Sequence, residues 1–280
     1  MFYLLFKPKG ISSFNCIKKF AREHGIKKIG HSGTLDPLAS GLLLLATDED
    51  TKLLDYIANK QKTYIAQIAF GQARSTYDSE GEIIEQSDNK ITPSMLKEIE
   101  YWFLNQHTQL PPAFSAKKIN GKRSYELARQ NIKVELNQQK INISSVKIHN
   151  FDEPNQLLDV ELTVSNGTYI RSLSHDLGHA FNTCSYMKEL ERTAISGFDK
   201  KNIVKDNYIA IINALSLFDM ETISLKPEQV KVLQNGLTLD FALAPKTYLL
   251  THQSDANTVI GIGIVENNML KVKKLFGSRL

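Results

Sequence analysis

The stretch IGHSGTLDPLASGLLLLATDED, residues 29–50, sets one carboxylate, Asp36, among small residues and a proline, just before a run of four leucines. A carboxylate on a glycine-flanked loop beside a buried strand can be held rigidly with its oxygens exposed, as a nucleophile or base requires. The same residue has a plainer use, because Asp-Pro is a common turn pair and Asp accepts local backbone bonds. A partner would separate the two readings. Arg171 in NGTYIRSL lies between Ile170 and Leu173, where the chain leaves an alternating apolar segment. An unpaired guanidinium is costly there, and as a surface residue at a helix start it would oppose the helix dipole. Beside Asp36 it would orient the carboxylate and keep it ionised. Tyr64 and Tyr169 lie in strand-like contexts, where core packing is the commoner use of a tyrosine. In a cleft shared with Asp36 they offer faces on which a flat ring can stack.

Several other chemistries have no carrier. The chain lacks a GxxxxGK[ST] phosphate loop, a GxGxxG after a strand, a GxSxG elbow and an HExxH pair. GTLD matches the end of the phosphatase loop DxDGTL, but Gly30 and Ser32 stand where its aspartates belong, so that nucleophile is missing. Cys16 and Cys184 are far apart and show no metal-ligand spacing, which suits reduced, buried thiols.

The elements that must position these residues are legible in part. Residues 2–6 read as a strand, followed by a Pro-Gly turn and a helix capped at Ser12 or Ser13, with Phe14, Ile17, Phe20 and Ala21 at helical spacing and Gly25 as its stop. GLLLLAT is an apolar run of strand length, expected to be buried on both faces. DEDTKLLDYIANK reads as a short helix, KTYIAQIAFG as a strand, and Thr92-Pro93 as a helix start. SYELARQ reads as helical, INISSVKIHNF and LLDVELTVSNG as strands, and residues 185–192 as a further helix. Asn166-Gly167 turns strand into helix and puts Tyr169 and Arg171 at that junction. From about residue 223 the pattern changes to short alternating segments around one helix, LKPEQVKVLQNG, so residues 223–280 read as a small, mostly β domain.

A length of 280 residues suits one large and one small unit. The 42% hydrophobic and 23% charged composition is that of an ordinary globular chain, without an apolar run long enough to cross a membrane and without a signal peptide. A cytosolic location is expected. The net charge is +4, but residues 117–140 hold seven basic against two acidic side chains, and residues 17–28 five against one. The remainder is therefore net negative. Concentrated positive charge fits a polyanion partner, although two solvated faces would give the same count.

KPKGISSF, GHSGTLDPLASGLL, KTYIAQIAFG, DSEGEI, PPAFSAKKINGKRSYELAR, NGTYIRSLSHDLG and LERTAISGF occur in this order along nearly the whole chain. Together they resemble the bacterial tRNA pseudouridine-55 synthases of the TruB family. The resemblance implies an α+β pseudouridine-synthase fold: a mixed, largely antiparallel sheet flanked by helices in a catalytic domain of residues 1–222, and a PUA-like RNA-binding module of residues 223–280. A basic insertion at about 107–135 would be a mobile RNA clamp. The implied activity is isomerisation of a T-loop uridine of tRNA to pseudouridine, without cofactor, metal or membrane, by a monomer that binds the T-arm. By the same resemblance, Asp36 is the catalytic carboxylate, Arg171 its partner, and Tyr64 the residue that stacks on the base and assists proton transfer. His31 would hold a phosphate or the extruded nucleotide, and Tyr169 and Leu190 would complete the pocket. Lys7, Lys9, Lys117, Lys118, Lys122 and Arg123 would contact the RNA backbone.

Three positions depart from the family pattern: Glu191 in LERT, Phe114 in FSA and Arg74 in RST. Two rival readings use the same residues. A tRNA-folding chaperone would need the fold and the basic surface but not Asp36, and a nucleoside or sugar hydrolase would need a second carboxylate, for which Asp78 is the nearest in sequence.

Overall fold

The structure is a computed structural model that describes residues 1–114, 136–203, 207–211 and 214–280, with the backbone of 118–119 and 122–123. The apolar run Phe2–Lys7 forms β1, and a turn leads into α1, Ser13–Glu23. Ser12 caps that helix by accepting from Asn15 N at 3.2 Å, and Ile17, Phe20 and Ala21 face inward. There follow β2 (Ile29–His31), β3 (Ser40–Thr47), β4 (Lys62–Phe70), α2 (Leu96–Leu104), β5 (Ile143–Asp152), β6 (Leu157–Val164), α3 (Ile170–Ala180), β7 (Ser185–Ile195) and β8 (Tyr208–Ile211).

These strands build a sheet in the order β5-β6-β4-β7-β3-β1-β8, with β2 on β3. Its ladders are antiparallel except β7 on β3, which is parallel and pairs Arg192 with Gly41. This is the mixed, largely antiparallel sheet that the sequence implies. The leucine run explains its depth. Leu43 and Leu45 pack with Ile17, Phe20, Leu173 and Leu177 on one face of β3, and Leu42 and Leu44 pack with Phe2 and Leu4 on the other. All four leucines are fully buried, each contributing roughly 2 kcal/mol. The strand that follows Asp36 is thereby fixed from both sides.

Gly41 is required by the parallel junction. Its φ is +120°, and a Cβ there would lie 2.3 Å from the Arg192 carbonyl oxygen, a conformation and an approach that only glycine allows.

Residues 185–192 are strand rather than the expected helix. The ladder between β7 and β4 shifts register between Met187 and Glu189. That bulge turns Met187 and Leu190, three residues apart, to the same buried side, so the sequence mimics a helical period. DEDTKLLDYIANK is helical only as 3₁₀ turns over Asp48–Tyr56.

A hairpin of Gln72–Arg74 and Ile83–Gln86 carries the turn that contains Asp78. Thr108–Gln109 pairs with Gln139–Lys140 at the base of the basic insertion. Inside it, 118–119 pairs with 122–123. The side chains of Lys117, Lys118, Lys122 and Arg123, and the helical reading of SYELARQ, lie outside the described residues.

The C-terminal part holds a five-stranded sheet, formed by Thr222–Leu225, Leu239–Asp240, Thr247–His252, Asp255–Glu266 and Met269–Leu275, with one helix, Pro227–Gln234. One side of it has a core of its own around Ile223, Val230, Leu233, Tyr248 and Ile260. On the other side Leu249, Val259, Ile262 and Phe276 pack with Phe2, Leu4, Leu42 and Leu44. Among the described residues no helix is long and apolar enough to cross a membrane.

Candidate active site

Asp36 sits in a loop clamped at four backbone points. Ser13 Oγ donates to Leu35 O at 2.9 Å and accepts from Leu35 N at 2.8 Å. Gly10 N donates to Pro37 O at 2.7 Å, and Arg192 Nη2 to Gly33 O at 3.1 Å. Lys7 adds a long contact to Pro37 O at 3.4 Å, while its Nζ donates to Ile11 O at 2.7 Å and Pro8 O at 2.9 Å. These bonds fix the two neighbours of Asp36 and leave its carboxylate about a third exposed, at 34%.

Arg171, at the second position of α3, reaches that carboxylate with two nitrogens, Nε to Oδ2 at 2.9 Å and Nη2 to Oδ1 at 3.3 Å. The guanidinium is buried, and its remaining donors are held by Thr76 O at 3.2 Å and Phe114 O at 2.8 Å. Behind it lies Asp78 Oδ2, 3.6 Å from Nη1. Asp78 is itself buried and accepts from Thr76 Oγ1 and from Glu80 N. One guanidinium thus bridges two carboxylates, of which only Asp36 faces open space. Burial pushes the Asp36 carboxyl above its ordinary range, Arg171 opposes that push, and Asp78 adds to it.

The open space is a cavity of about 370 Å³, lined among others by Gly33, Asp36, Tyr64, Tyr169, Arg171 and Leu190, within the usual range for small-molecule sites. Tyr64 and Leu190 come from the neighbouring strands β4 and β7, where Tyr64 lies directly opposite Arg192. Tyr169 precedes α3, and Gln109 holds its backbone through Nε2 to Tyr169 O at 3.0 Å and Oε1 from Tyr169 N at 2.6 Å. Asp36, Arg171, Tyr64, Tyr169 and Leu190, singled out from the sequence, meet at this one cavity.

The other candidates lie elsewhere. His31, on β2, lines a neighbouring groove along α1 together with Phe14, Lys18, Lys19, Arg22 and Lys27. Lys9 is exposed and paired with Glu189 at 2.8 Å. Lys7 is corrected: it is fully buried, its donors go to backbone carbonyls, and it braces the loop instead of meeting RNA. Asp78, the second carboxylate that a hydrolase would need, is sealed behind Arg171 and lines no part of the cavity.

Among the cavity residues that escaped the sequence reading are two cations, Lys62 and Arg192. Arg192 is fully buried, with Nε donating to Leu42 O at 2.6 Å and Nη1 3.5 Å from the Tyr64 hydroxyl. The signal was present, because K-x-Y on a strand places Lys62 and Tyr64 on one face. Of the three departures, Glu191 is paired with Lys200 at 2.7 Å and does not line the cavity. Phe114 contributes its carbonyl, which does not depend on its side chain. Arg74 closes the Asp78 turn by donating to Gly81 O at 3.0 Å and stacks on Tyr186.

Residues 21–170 match the model of the TruB family pseudouridylate synthase, N terminal domain. The chain is 48% identical to a tRNA pseudouridine synthase B of Mycoplasma mobile over 100% of this chain and 96% of the relative. It is 32% identical to the protein of the same name from Aquifex aeolicus, over 97% and 98%. Among solved structures, a Cbf5-Nop10-Gar1 complex contains a chain that superposes with a TM-score of 0.66 at 17% identity, covering 98% of this chain and 84% of that one, so the fold is shared. The match across more than half the chain, with relatives aligned along its whole length, places this protein in the TruB family of pseudouridylate synthases.

Proposed function

We infer that the protein converts a uridine of tRNA into pseudouridine. The observation that carries this is one carboxylate, Asp36, presented by a buried arginine at the edge of a cavity walled by Tyr64, Tyr169 and Leu190. In the reaction the bond N1–C1′ breaks and C5–C1′ forms, a proton leaves C5 and N1 gains one, so nothing is added beyond that exchange. Such an isomerisation needs one group that acts on the nucleotide and walls that retain the detached base. Two carboxylates at the bond are the requirement of glycoside hydrolysis, and here the second is turned away. The target must leave its stack to reach the cavity, which costs only a few kcal/mol in a loop.

The finer reading is that the target is position 55 in the T-loop and that the protein acts on the T-arm as a cytoplasmic monomer. Asp36 acts on the flipped nucleotide, Tyr64 stacks on its base, Tyr169 and Leu190 close the pocket, and Arg171 positions Asp36. His31, Lys9 and the basic segment with Lys117, Lys118, Lys122 and Arg123 meet the RNA backbone. Residues 1–222 form the catalytic domain, and residues 223–280 a PUA-like RNA-binding module. The concentration of positive charge on residues 17–28 and 117–140 supports the RNA contacts.

Incubating the protein with unmodified tRNA transcript and mapping pseudouridine tests this. The wild type is expected to modify the T-loop, and Asp36→Asn to bind tRNA without modifying it. A wild type that leaves the T-loop unmodified overturns the reading.

A further inference from the structure

Lys62 opens β4 with its side chain in the cavity wall, two residues before Tyr64. It is only 6% exposed. Its Nζ has one neutral acceptor, Asn166 Oδ1 at 2.5 Å. The charges that bear on it are cationic: Arg192 from β7 and Lys60 from the segment before β4. The same cavity is lined by the Asp36–Arg171 pair, its carboxylate already engaged, by Tyr64 on the same face of β4, and by Tyr169. Gly33 lies beside both cations. A Cβ placed there would be 3.4 Å from Lys62 Nζ and 3.7 Å from Arg192 Nη1, and its φ of +100° favours glycine. The missing side chain keeps this end of the cavity open next to two positive groups.

An ammonium sunk into a wall beside a guanidinium loses hydration, and among the described residues it gains no counter-charge. Burial first, then Arg192 and Lys60, bring its pKa down to about 8. Its environment is completed by an anion, and the anion that an RNA strand carries into a cavity is a phosphodiester. We propose that Lys62, aimed by Asn166 and backed by Arg192, binds one phosphate of the RNA strand that enters the cavity with the flipped uridine. The proposal rests on the RNA-modifying reading of this site and names the part of the cavity that takes the backbone rather than the base.

Binding of unmodified tRNA by the full-length wild type, Lys62→Met and Lys62→Arg tests it, measured from pH 7 to 9.5 and over a range of salt. Lys62→Met is expected to weaken binding about tenfold at pH 7 and to flatten the slope of log affinity against log salt by about 0.7, the amount expected when a single phosphate is no longer neutralised. Wild-type affinity should fall as pH rises through about 8, since the ammonium is lost there. Lys62→Arg should restore the affinity at pH 7 and remove that fall, because guanidinium stays charged. An unchanged salt slope in Lys62→Met, which is what a hydrogen bond to a base carbonyl would give, overturns the proposal. So does a fall between pH 7 and 9 that survives in both variants. If Lys62→Met does not fold, the pH profile of Lys62→Arg decides. Pseudouridine formation by the wild type, assayed in parallel, separates the two levels: its absence counts against the function, whereas its presence with an unchanged salt slope counts against the phosphate site alone.

Discussion

At Asp36 the arrangement depends on the shape of its partner as well as on its charge. Arg171 reaches two carboxylate oxygens, two backbone carbonyls and Asp78 at once, and a lysine ammonium has neither the reach nor the planar fork. Arg171→Lys is therefore expected to lower kcat by roughly two orders of magnitude, about 3 kcal/mol, with a smaller effect on KM for tRNA; single-turnover kinetics checks this. Because Arg171 opposes the upward push on the Asp36 pKa, removing the charge lets that pKa climb further. In Arg171→Met the acid limb of the residual turnover should move to higher pH, since more of Asp36 is protonated at each pH. Arg171 was legible in the sequence because a guanidinium is costly where it stands, whereas Asp36 and Tyr64, readable by themselves as a turn residue and a core aromatic, were singled out by the family resemblance. Lys7, assigned to the RNA backbone by the resemblance, closes β1 fully buried, and only the carbonyls of Pro8 and Ile11 reveal why a lysine can stand there.

The element that makes the site rigid is the parallel junction of β3 with β7. There the Arg192 backbone meets Gly41, and the Arg192 side chain continues to Leu42 O, Gly33 O and Tyr64. Gly41→Ala would force a Cβ to within 2.8 Å of three Arg192 backbone atoms. The expected outcome is a loss of about 3 kcal/mol in urea unfolding and a fall in turnover, because moving β7 also moves Leu190 and the Arg192 guanidinium that holds Gly33 O in the Asp36 loop. An alanine variant as stable as the wild type would show that the junction yields. Alternation and burial made β1, β3, β4 and β6 readable from sequence, since each has a clear period or an unbroken apolar run. β7 was not readable, because the bulge at residue 188 spaces its inward residues as a helix does. A bulge is set by pairing with another strand, so a single segment does not report it.

Across the whole molecule, the two sheets are joined by packing and by charge. Leu249, Val259, Ile262 and Phe276 cover Phe2, Leu42 and Leu44, so truncation after Phe218 would uncover one face of β3, the strand that follows the Asp36 loop. Weakened tRNA binding in such a truncation would report unfolding as much as removal of an RNA-binding surface. Arg279 offers a cleaner probe. It donates to Asp50 Oδ1 at 3.0 Å and Oδ2 at 2.9 Å across a separation of 229 residues, a pairing that no local pattern announces. Burial works against the Asp50 carboxylate, but hydrogen bonds from Arg279 and the N-terminal ammonium outweigh it and hold its pKa below the ordinary value. A carboxyl depressed in the folded state adds stability above the unfolded value of about 4 and loses it as pH falls through the folded one. Arg279→Met is expected to cost about 1–2 kcal/mol at pH 7, a drop in Tm of roughly 3–6 °C for a chain of this size. That difference from the wild type should shrink as the pH is taken from 5 toward 3, because protonated Asp50 no longer distinguishes the two proteins. Thermal unfolding at several pH values measures both effects, and a gap that stays constant into acid would show that Arg279 acts through Phe276 and Val259 instead of through Asp50.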